Sequence, residues 1–304
     1  MIKLNVINET AQLRAVIVGI ADDFGGTPSI KECYDPKSKE HVRLGLFPLE
    51  NDCVLAMDTL VKVLKAYDVT VYRPQNTKRL NQIFSRDIAF VIGGKLILPN
   101  IIEDRRKEVE AINSVLSGIL DLDKIKMPEG ARAEGGDVIL CNDYIFVGYS
   151  ENKDFEKYTV ARTNRSGLDF LKTTFSNKKV KGFELRKSDD DARKNALHLD
   201  CCFQPIGNGM AILYRGGFKN EEDFNFLVNY FHKKNIIEIT RDEMYSMNSN
   251  IFSISEKVIV SDKKFLRLNS ELRARGFIVE EVAYSEIAKM SGLFRCSTMP
   301  LIRQ

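Results

Sequence analysis

The apolar and polar positions of this 304-residue chain repeat a four-part pattern. Short apolar runs come in pairs separated by turn residues: "IAFVIGGKLILP" (88–99) turns on Gly-Gly, "DVILCNDYIFVG" (137–148) on Asn-Asp, "CCFQPIGNGMAILYR" (201–215) on Gly-Asn-Gly and "NIFSISEKVIVSD" (250–262) on Ser-Glu-Lys. Turn chemistry of this kind closes antiparallel hairpins, because Gly and Asn accept the positive φ that matches the twist of the flanking strands. Helical periodicity lies between the hairpins, in "EDRRKEVEAINSVLSGIL" (103–120), "SGLDFLKTTFS" (166–176), "NEEDFNFLVNYFHKK" (220–234) and "KKFLRLNSELRARG" (263–276). Further strand-like runs such as "KGFELR" (181–186) and "FIVEEVA" (277–283) follow the helices. The unit is strand, strand, helix, strand.

A fifth unit can be completed from the two ends of the chain. "AVIVG" (15–19), the helix "ENDCVLAMDTLVKVLKAY" (50–67) and "VTVYRP" (69–74) supply its first part, and "STMPLI" (297–302) supplies the missing strand. Closure of that kind ties the termini together and predicts one α/β domain over residues 1–304, a pseudo-symmetric ring of ββαβ units. No Pro/Gly/Ser-rich linker divides it.

The ring makes the residues just before each hairpin informative. Asp87 precedes the first, Glu134 opens "EGGD" before the second, and His198 and Asp200 form "HLD" before the third. Asn248 in "SMNSN" precedes the fourth, and Cys296 in "RC" precedes the closing strand. Units related by rotation about one axis bring these positions together in a central pocket. Taken singly each has an ordinary reading: Cys296 as a small buried hydrophobe, Asp87 as a turn acid, "EGG" as loop. Their common register favours a site.

Composition narrows the chemistry. Lys plus Arg (45) nearly balance Asp plus Glu (42), and no dense basic tract carries interleaved aromatics, which argues against a nucleic-acid partner. The N-terminal stretch has no signal-peptide pattern and no apolar run approaches membrane-spanning length, so a cytoplasmic protein without membrane contact is expected. Six cysteines without a Cys-x-x-Cys pair argue against structural zinc. Cys201 and Cys202 are read as strand packing, His232 as a surface residue, and His41 as ordinary or as part of an entrance loop. The stretch "GTPSIKECYDPKSKEHVRLG" (26–45), rich in Pro, Gly and charge, is expected to be a loop that acts as a lid. Neither metal nor other cofactor is called for, and a homo-oligomer is compatible with everything above.

A cysteine attacks as its thiolate, so it needs a cation nearby. His198 can serve as that cation or as proton shuttle, with Glu134 orienting it. Asp87 and Asp200 are then left without protein partners, and two carboxylates facing one pocket call for a cationic ligand. A planar guanidinium suits them, since its fork of N–H groups pairs with carboxylates bidentately. Attack by Cys296 on the guanidinium carbon would give a thiouronium intermediate, released by water or by an amine.

At these residues the chain resembles the guanidino-group-modifying enzymes of the pentein superfamily, namely arginine deiminase, dimethylargininase and glycine amidinotransferase. "NETAQLRAVIVG", "LKAYDVTVYRP", "RDIAFVIGGKLI", "LHLDCCFQPIGNGMAIL" and "SMNSNIFSISEKVIVSD" are similar to the amidinotransferase pattern, while "EGGDV" and "RCSTMPLIR" are closer to the deiminases. The resemblance implies a five-bladed α/β propeller, Cys296 as nucleophile, His198 as general acid/base with Glu134 as its acidic partner, and Asp87 and Asp200 as guanidinium-binding carboxylates. It also implies a carboxylate-binding Arg after the second hairpin, for which Arg162 and Arg165 are the candidates. Arg295 is a candidate for closing the pocket or for a substrate carboxylate, with a surface position as the alternative. An acid two residues after the His, which dimethylargininases tend to lack, implies an unmethylated guanidine. The expected function is hydrolysis of arginine or a related guanidine. Amidino transfer to an amine such as glycine or ornithine is the alternative, followed by a non-catalytic binding protein of the same fold.

Overall fold

The computed structural model describes all residues 1–304. Its strands form five three-stranded sheets, each an antiparallel pair extended by one parallel strand; the pair is a hairpin in four of them. The first sheet joins β1 (Leu13–Val18), β2 (Thr70–Tyr72) and the last strand, β15 (Thr298–Arg303). The second holds β3 (Phe90–Ile92), β4 (Lys95–Leu98) and β5 (Lys124–Lys126), and the third β6 (Val138–Cys141), β7 (Tyr144–Tyr149) and β8 (Lys179–Glu184). The fourth holds β9 (Phe203–Ile206), β10 (Met210–Leu213) and β11 (Ile236–Glu238). The fifth holds β12 (Phe252–Ser253), β13 (Val258–Asp262) and β14 (Ile278–Val282).

This is the five-bladed propeller that the repeat predicts, and its local causes are visible. The hairpin turns pass through Gly93 (φ 58°), Asn142 (φ 53°), and Asn208 and Gly209 (φ 60° and 68°), the residue types that adopt such backbone at least cost. The parallel third strand needs a crossover, supplied by a helix. In the first blade that helix is Glu50–Ala66, which buries Cys53, Ala56, Met57, Leu60 and Leu64 at helical spacing. Closure by the last strand is firm. Ala15 pairs with Ile302 and Val18 with Thr298, and the Arg303 guanidinium donates to the Ala11 and Ser253 carbonyls, fastening both ends of the chain to the fifth blade.

Two predicted segments differ. The stretch 103–120 is not one helix: a 3-10 turn (Glu103–Arg105) runs into a short helix (Arg106–Glu110), and a separate turn of helix covers Asn113–Leu116. Arg105 and Glu108 point inward, so this segment has charge on both faces and no continuous apolar stripe. The stretch 26–45, expected as a loop, contains a helix over Pro36–Arg43, started by the Asp35 carboxylate, which accepts from the Lys37 and Ser38 amides, and by proline in the first helical position. His41 lies in that helix, buried, with Nδ1 bonded to the Lys37 carbonyl. His232 is exposed, and Cys201 and Cys202 are buried among apolar side chains. No helix is long and apolar enough to cross a membrane.

Candidate active site

The segments entering β3, β6, β9, β12 and β15 converge, each delivering side chains from its last few residues before the strand. Cys296 is held by its backbone: its N–H donates to Asn250 Oδ1 (3.1 Å), which also accepts from the Leu293 amide, and its carbonyl accepts from the Arg86 amide (3.0 Å). The amide side chain that belongs to the site is therefore Asn250. Asn248, two residues earlier, is buried elsewhere and borders a different cavity; the chain turns tightly over Met247–Asn250, with φ 71° at Met247 and the Asn250 amide donating to the Met247 carbonyl. The Cys296 sulfur lies 3.7 Å from Asp200 Oδ2. Burial, then the charges of Asp200 and Asp87, push its thiol well above the usual value. The fold by itself keeps Cys296 protonated.

His198 is fully buried, with Nε2 2.9 Å from Glu134 Oε2 and Nδ1 3.7 Å from Asp87 Oδ1. Nδ1 is buried with no hydrogen-bond partner. Burial alone would depress the imidazole; Asp87, the Glu134 hydrogen bond and Asp137 outweigh it and raise the pKa to about 9. Glu134 is also disfavoured by burial, yet Arg162 (3.4 Å) and His198 hold it ionised well below the carboxylate range. The Gly-Gly of "EGGD" has a steric cause here. A Cβ on Gly136 would sit 2.6 Å from His198 Nδ1, and one on Gly135 would sit 2.1 Å from the Arg86 carbonyl oxygen. Replacing Gly136 by Ala displaces the ring, and a shift of about 1 Å at a reacting group is expected to lower kcat roughly 100-fold. Steady-state kinetics on Gly136→Ala check this.

Neither Asp87 nor Asp200 is free of protein partners, contrary to the expectation from sequence. Asp87 Oδ1 accepts from the Gly136 amide (3.2 Å), and Oδ2 accepts from Arg105 Nη1 at 2.8 Å. Asp200 Oδ2 accepts from Arg295 Nη1 at 2.9 Å. Arg295 neither reaches the surface nor closes the pocket. It is wholly buried beneath the site, forked onto Glu9 (2.9 and 3.2 Å) and donating to the Gly135 and Val138 carbonyls. Arg162 lines the cavity, between Glu134 and the Tyr34 carbonyl. Arg165 does not: it lies on the outer face of the following helix, paired with Glu151 and Asp169.

A cavity of about 910 Å³ opens onto Cys296, His198, Asp87, Arg105 and Arg162. Residues 24–28 and 32–35 form one wall and residues 77–81 another. Asp200 and Glu134 stand behind the side chains that line it. Asp87, Glu134 and His198 bring their ligand atoms within 4.8 Å of one another, the spacing nearest to a metal site. Glu134 is already bonded to His198 and Asp87 to Arg105, so the positive charge at that spot is supplied by the protein. Arg105, Glu108, Asp137, Glu9 and Asn250 escape the sequence reading.

Comparison with known proteins fits this geometry. Residues 48–303 match the family described as eukaryotic N,N dimethylarginine dimethylhydrolase. The chain belongs to that family. It is thereby one of the guanidino-modifying pentein families that the sequence resembles. Among curated proteins it is 31% identical over 245 residues to the uncharacterized protein YkgA of Bacillus subtilis, a match covering 80% of this chain and 78% of YkgA. It is 26% identical to the arginine deiminase of Staphylococcus haemolyticus, over 56% of this chain and 47% of that enzyme. The dimethylarginine dimethylhydrolase fold is shared with two solved structures of other names. The N-terminal domain of ArgZ, a cyanobacterial arginine dihydrolase, superimposes with TM-score 0.79 at 16% identity, covering 96% of this chain and 98% of that one. SxtG, an amidinotransferase of Microseira wollei, gives 0.74 at 16% identity, covering 99% and 98%.

Proposed function

We propose that residues 1–304 act as one cysteine-dependent catalytic domain that hydrolyses the guanidino group of arginine or a related unmethylated guanidine. The observation that supports this reading most is the grouping of a thiol (Cys296), a charged imidazole (His198) and carboxylates (Asp87, Asp200, Glu134) around one buried point. An arriving guanidinium is attracted to Asp87 and lies near the sulfur; its charge lowers the thiol pKa, and the thiol proton is lost to solvent. The sulfur then bonds to the guanidinium carbon. His198 gives its proton to one terminal nitrogen, which leaves as ammonia, and the thiouronium remains on Cys296. Neutral His198 next takes a proton from water; the oxygen attacks the same carbon, the C–S bond breaks, the remaining hydroxyl proton passes to the departing sulfur, and citrulline is released with the thiol restored when the substrate is arginine.

Arg162 and Arg105 reach the same cavity and offer planar forks to a substrate carboxylate, which favours an amino-acid guanidine. Amidino transfer has one supporting observation of its own: a cavity of about 910 Å³ leaves space for an amine beside the first substrate. Cytoplasmic residence is part of the proposal, because a reducing compartment keeps Cys296 as a thiol. The experiment is product analysis by mass spectrometry with arginine, N,N-dimethylarginine and shorter guanidino acids, each with and without glycine or ornithine. Citrulline from arginine alone supports deimination; a new guanidino compound formed only with the amine supports transfer; a reaction confined to the methylated substrate overturns the unmethylated preference.

A pH dependence follows from His198. Its pKa is about 9 in the folded chain against 6.5 unperturbed, so the charge pair stabilises fully below about pH 6.5 and that stabilisation is lost as pH rises through about 9. The turnover rate is expected to fall over the alkaline part of the same interval, as the acid that protonates the leaving nitrogen disappears. In His198→Gln this component of the pH dependence of stability should vanish, which urea melts between pH 6 and 10 would reveal.

A further inference from the structure

Asp137 ends the "EGGD" stretch, is 1% exposed, and does not line the cavity. Its Oδ1 accepts from the Leu199 amide at 2.9 Å, and that amide belongs to the peptide unit joining His198 to Leu199. Ahead of His198, Lys187 Nζ donates to the Ala196 and Leu197 carbonyls at 2.8 and 2.7 Å. An anion and a cation thus grip the backbone on either side of the imidazole. Strand β7 makes room for the grip: a Cβ on Gly148 would stand 2.4 Å from Asp137 Oδ1 and 2.9 Å from Leu199 Cβ. The second carboxylate oxygen, Oδ2, is buried without a hydrogen-bond partner. Accepting from one backbone amide needs only one oxygen, which Asn would supply without stranding a bare carboxylate oxygen in the interior. A clamp with no other duty is better made with Asn, so the acid at this position points to a use for its charge.

We propose that Asp137 is a positioning residue that holds the His198 backbone and places a buried negative charge near the imidazolium, so that His198 is still an acid when ammonia must leave. The catalytic consequence rests on the guanidine reading above; the coupling between Asp137 and His198 does not. Burial raises the Asp137 carboxyl, and His198, then Lys187, oppose that rise. The interaction is mutual, since Asp137 joins Asp87 and Glu134 in favouring the charged ring. Asp87 stands 3.7 Å from Nδ1 and Glu134 2.9 Å from Nε2, with Arg105 and Arg162 on Glu134 at 3.8 and 3.4 Å. Asp200, Cys296 and Lys187 complete the titratable groups around them. Asp137→Asn alters none of these. It keeps an oxygen for the Leu199 amide and removes only the charge.

The chain has three histidines, so each imidazole of the full-length protein can be followed by NMR from about pH 6 to 10. His198→Gln assigns the signal, and the exposed His232 is the internal control. In Asp137→Asn the His198 midpoint should fall by about one pH unit with His232 unmoved and the melting temperature maintained. The alkaline limb of kcat for arginine should move down equally, which lowers turnover about tenfold beyond that limb and leaves KM within about twofold. Asp137→Ala also frees the Leu199 amide and should lose about a further tenfold in kcat at neutral pH, through displacement of the ring. Asp137→Asn decides the matter if Asp137→Ala does not fold. A His198 midpoint that stays in place in Asp137→Asn, or citrulline formation with an unchanged pH profile, overturns this proposal alone. A shifted midpoint in a protein that turns over no guanidine overturns the guanidine reading and the catalytic role of Asp137 with it, while supporting the charge coupling.

Discussion

Cys296→Ala is expected to abolish turnover, by about 10⁴-fold or more, while leaving arginine binding within a few-fold of the unsubstituted protein. The asymmetry comes from the placement of the groups. Asp87, Arg105 and Arg162 line the cavity independently of the sulfur, whereas in the proposed reaction the bond to carbon is made by Cys296 alone. Cys296→Ser should be nearly as inactive. A serine hydroxyl at the same point has the same burial and the same neighbouring acids, but a much higher intrinsic pKa than a thiol, so the arriving cation cannot ionise it. Removing Cys201 or Cys202 instead, both buried one turn from His198, should change stability and leave the chemistry intact. Single-turnover kinetics with a parallel binding isotherm make the comparison.

The second large effect concerns stability. Arg295 carries the only side-chain cation bonded to Asp200, and its fork also grips Glu9, all three groups being buried. Glu9 is disfavoured by burial, yet Arg295 and Arg86 bring its pKa down to about 2, so it is ionised throughout the working range. Arg295→Met leaves two buried carboxylates without their shared partner. The expected cost is about 3–5 kcal/mol, which lowers Tm by on the order of 10 °C in a chain of this size. Activity should fall as well, since Asp200 stands 3.7 Å from the Cys296 sulfur and Arg295 fixes its orientation. Adding Glu9→Gln to Arg295→Met should recover part of the lost stability by removing one of the stranded charges. Thermal melts of the single and double variants measure that coupling.

The fold was readable because four blades announce themselves within about a dozen residues as two apolar runs and a turn, three of those turns passing through Gly or Asn at positive φ. The register of those hairpins also located Asp87, Glu134, His198, Asp200 and Cys296, whose shared position before an inner strand is a property of the chain itself. What stayed hidden was charge that turns inward. "EDRRKEVE" reads as a solvated helix face, and nothing in its spacing says that Arg105 and Glu108 leave that face to enter the site. Arg295 adjoins Cys296 in sequence yet points the other way, toward Glu9, a partner 286 residues distant. Asn250 rather than Asn248 reaches Cys296 because the chain turns tightly over Met247–Asn250, a backbone event that composition does not encode. The helix at Pro36–Arg43 did have a signal, the Asp-Pro pair at 35–36, outweighed by the surrounding Gly, Pro and charge.

The central claim is covalent capture of a guanidine by Cys296, and intact-mass measurement of enzyme quenched in acid during turnover with arginine tests it most directly. Loss of ammonia before release predicts an added mass of about 157 Da on the Cys296 peptide, whereas capture of the amidino group alone, as in transfer to an amine, predicts about 42 Da. The account predicts the heavier adduct, absent from Cys296→Ala. Citrulline formed at an undiminished rate by Cys296→Ala, or turnover with no adduct on this peptide at any quench time, would contradict it.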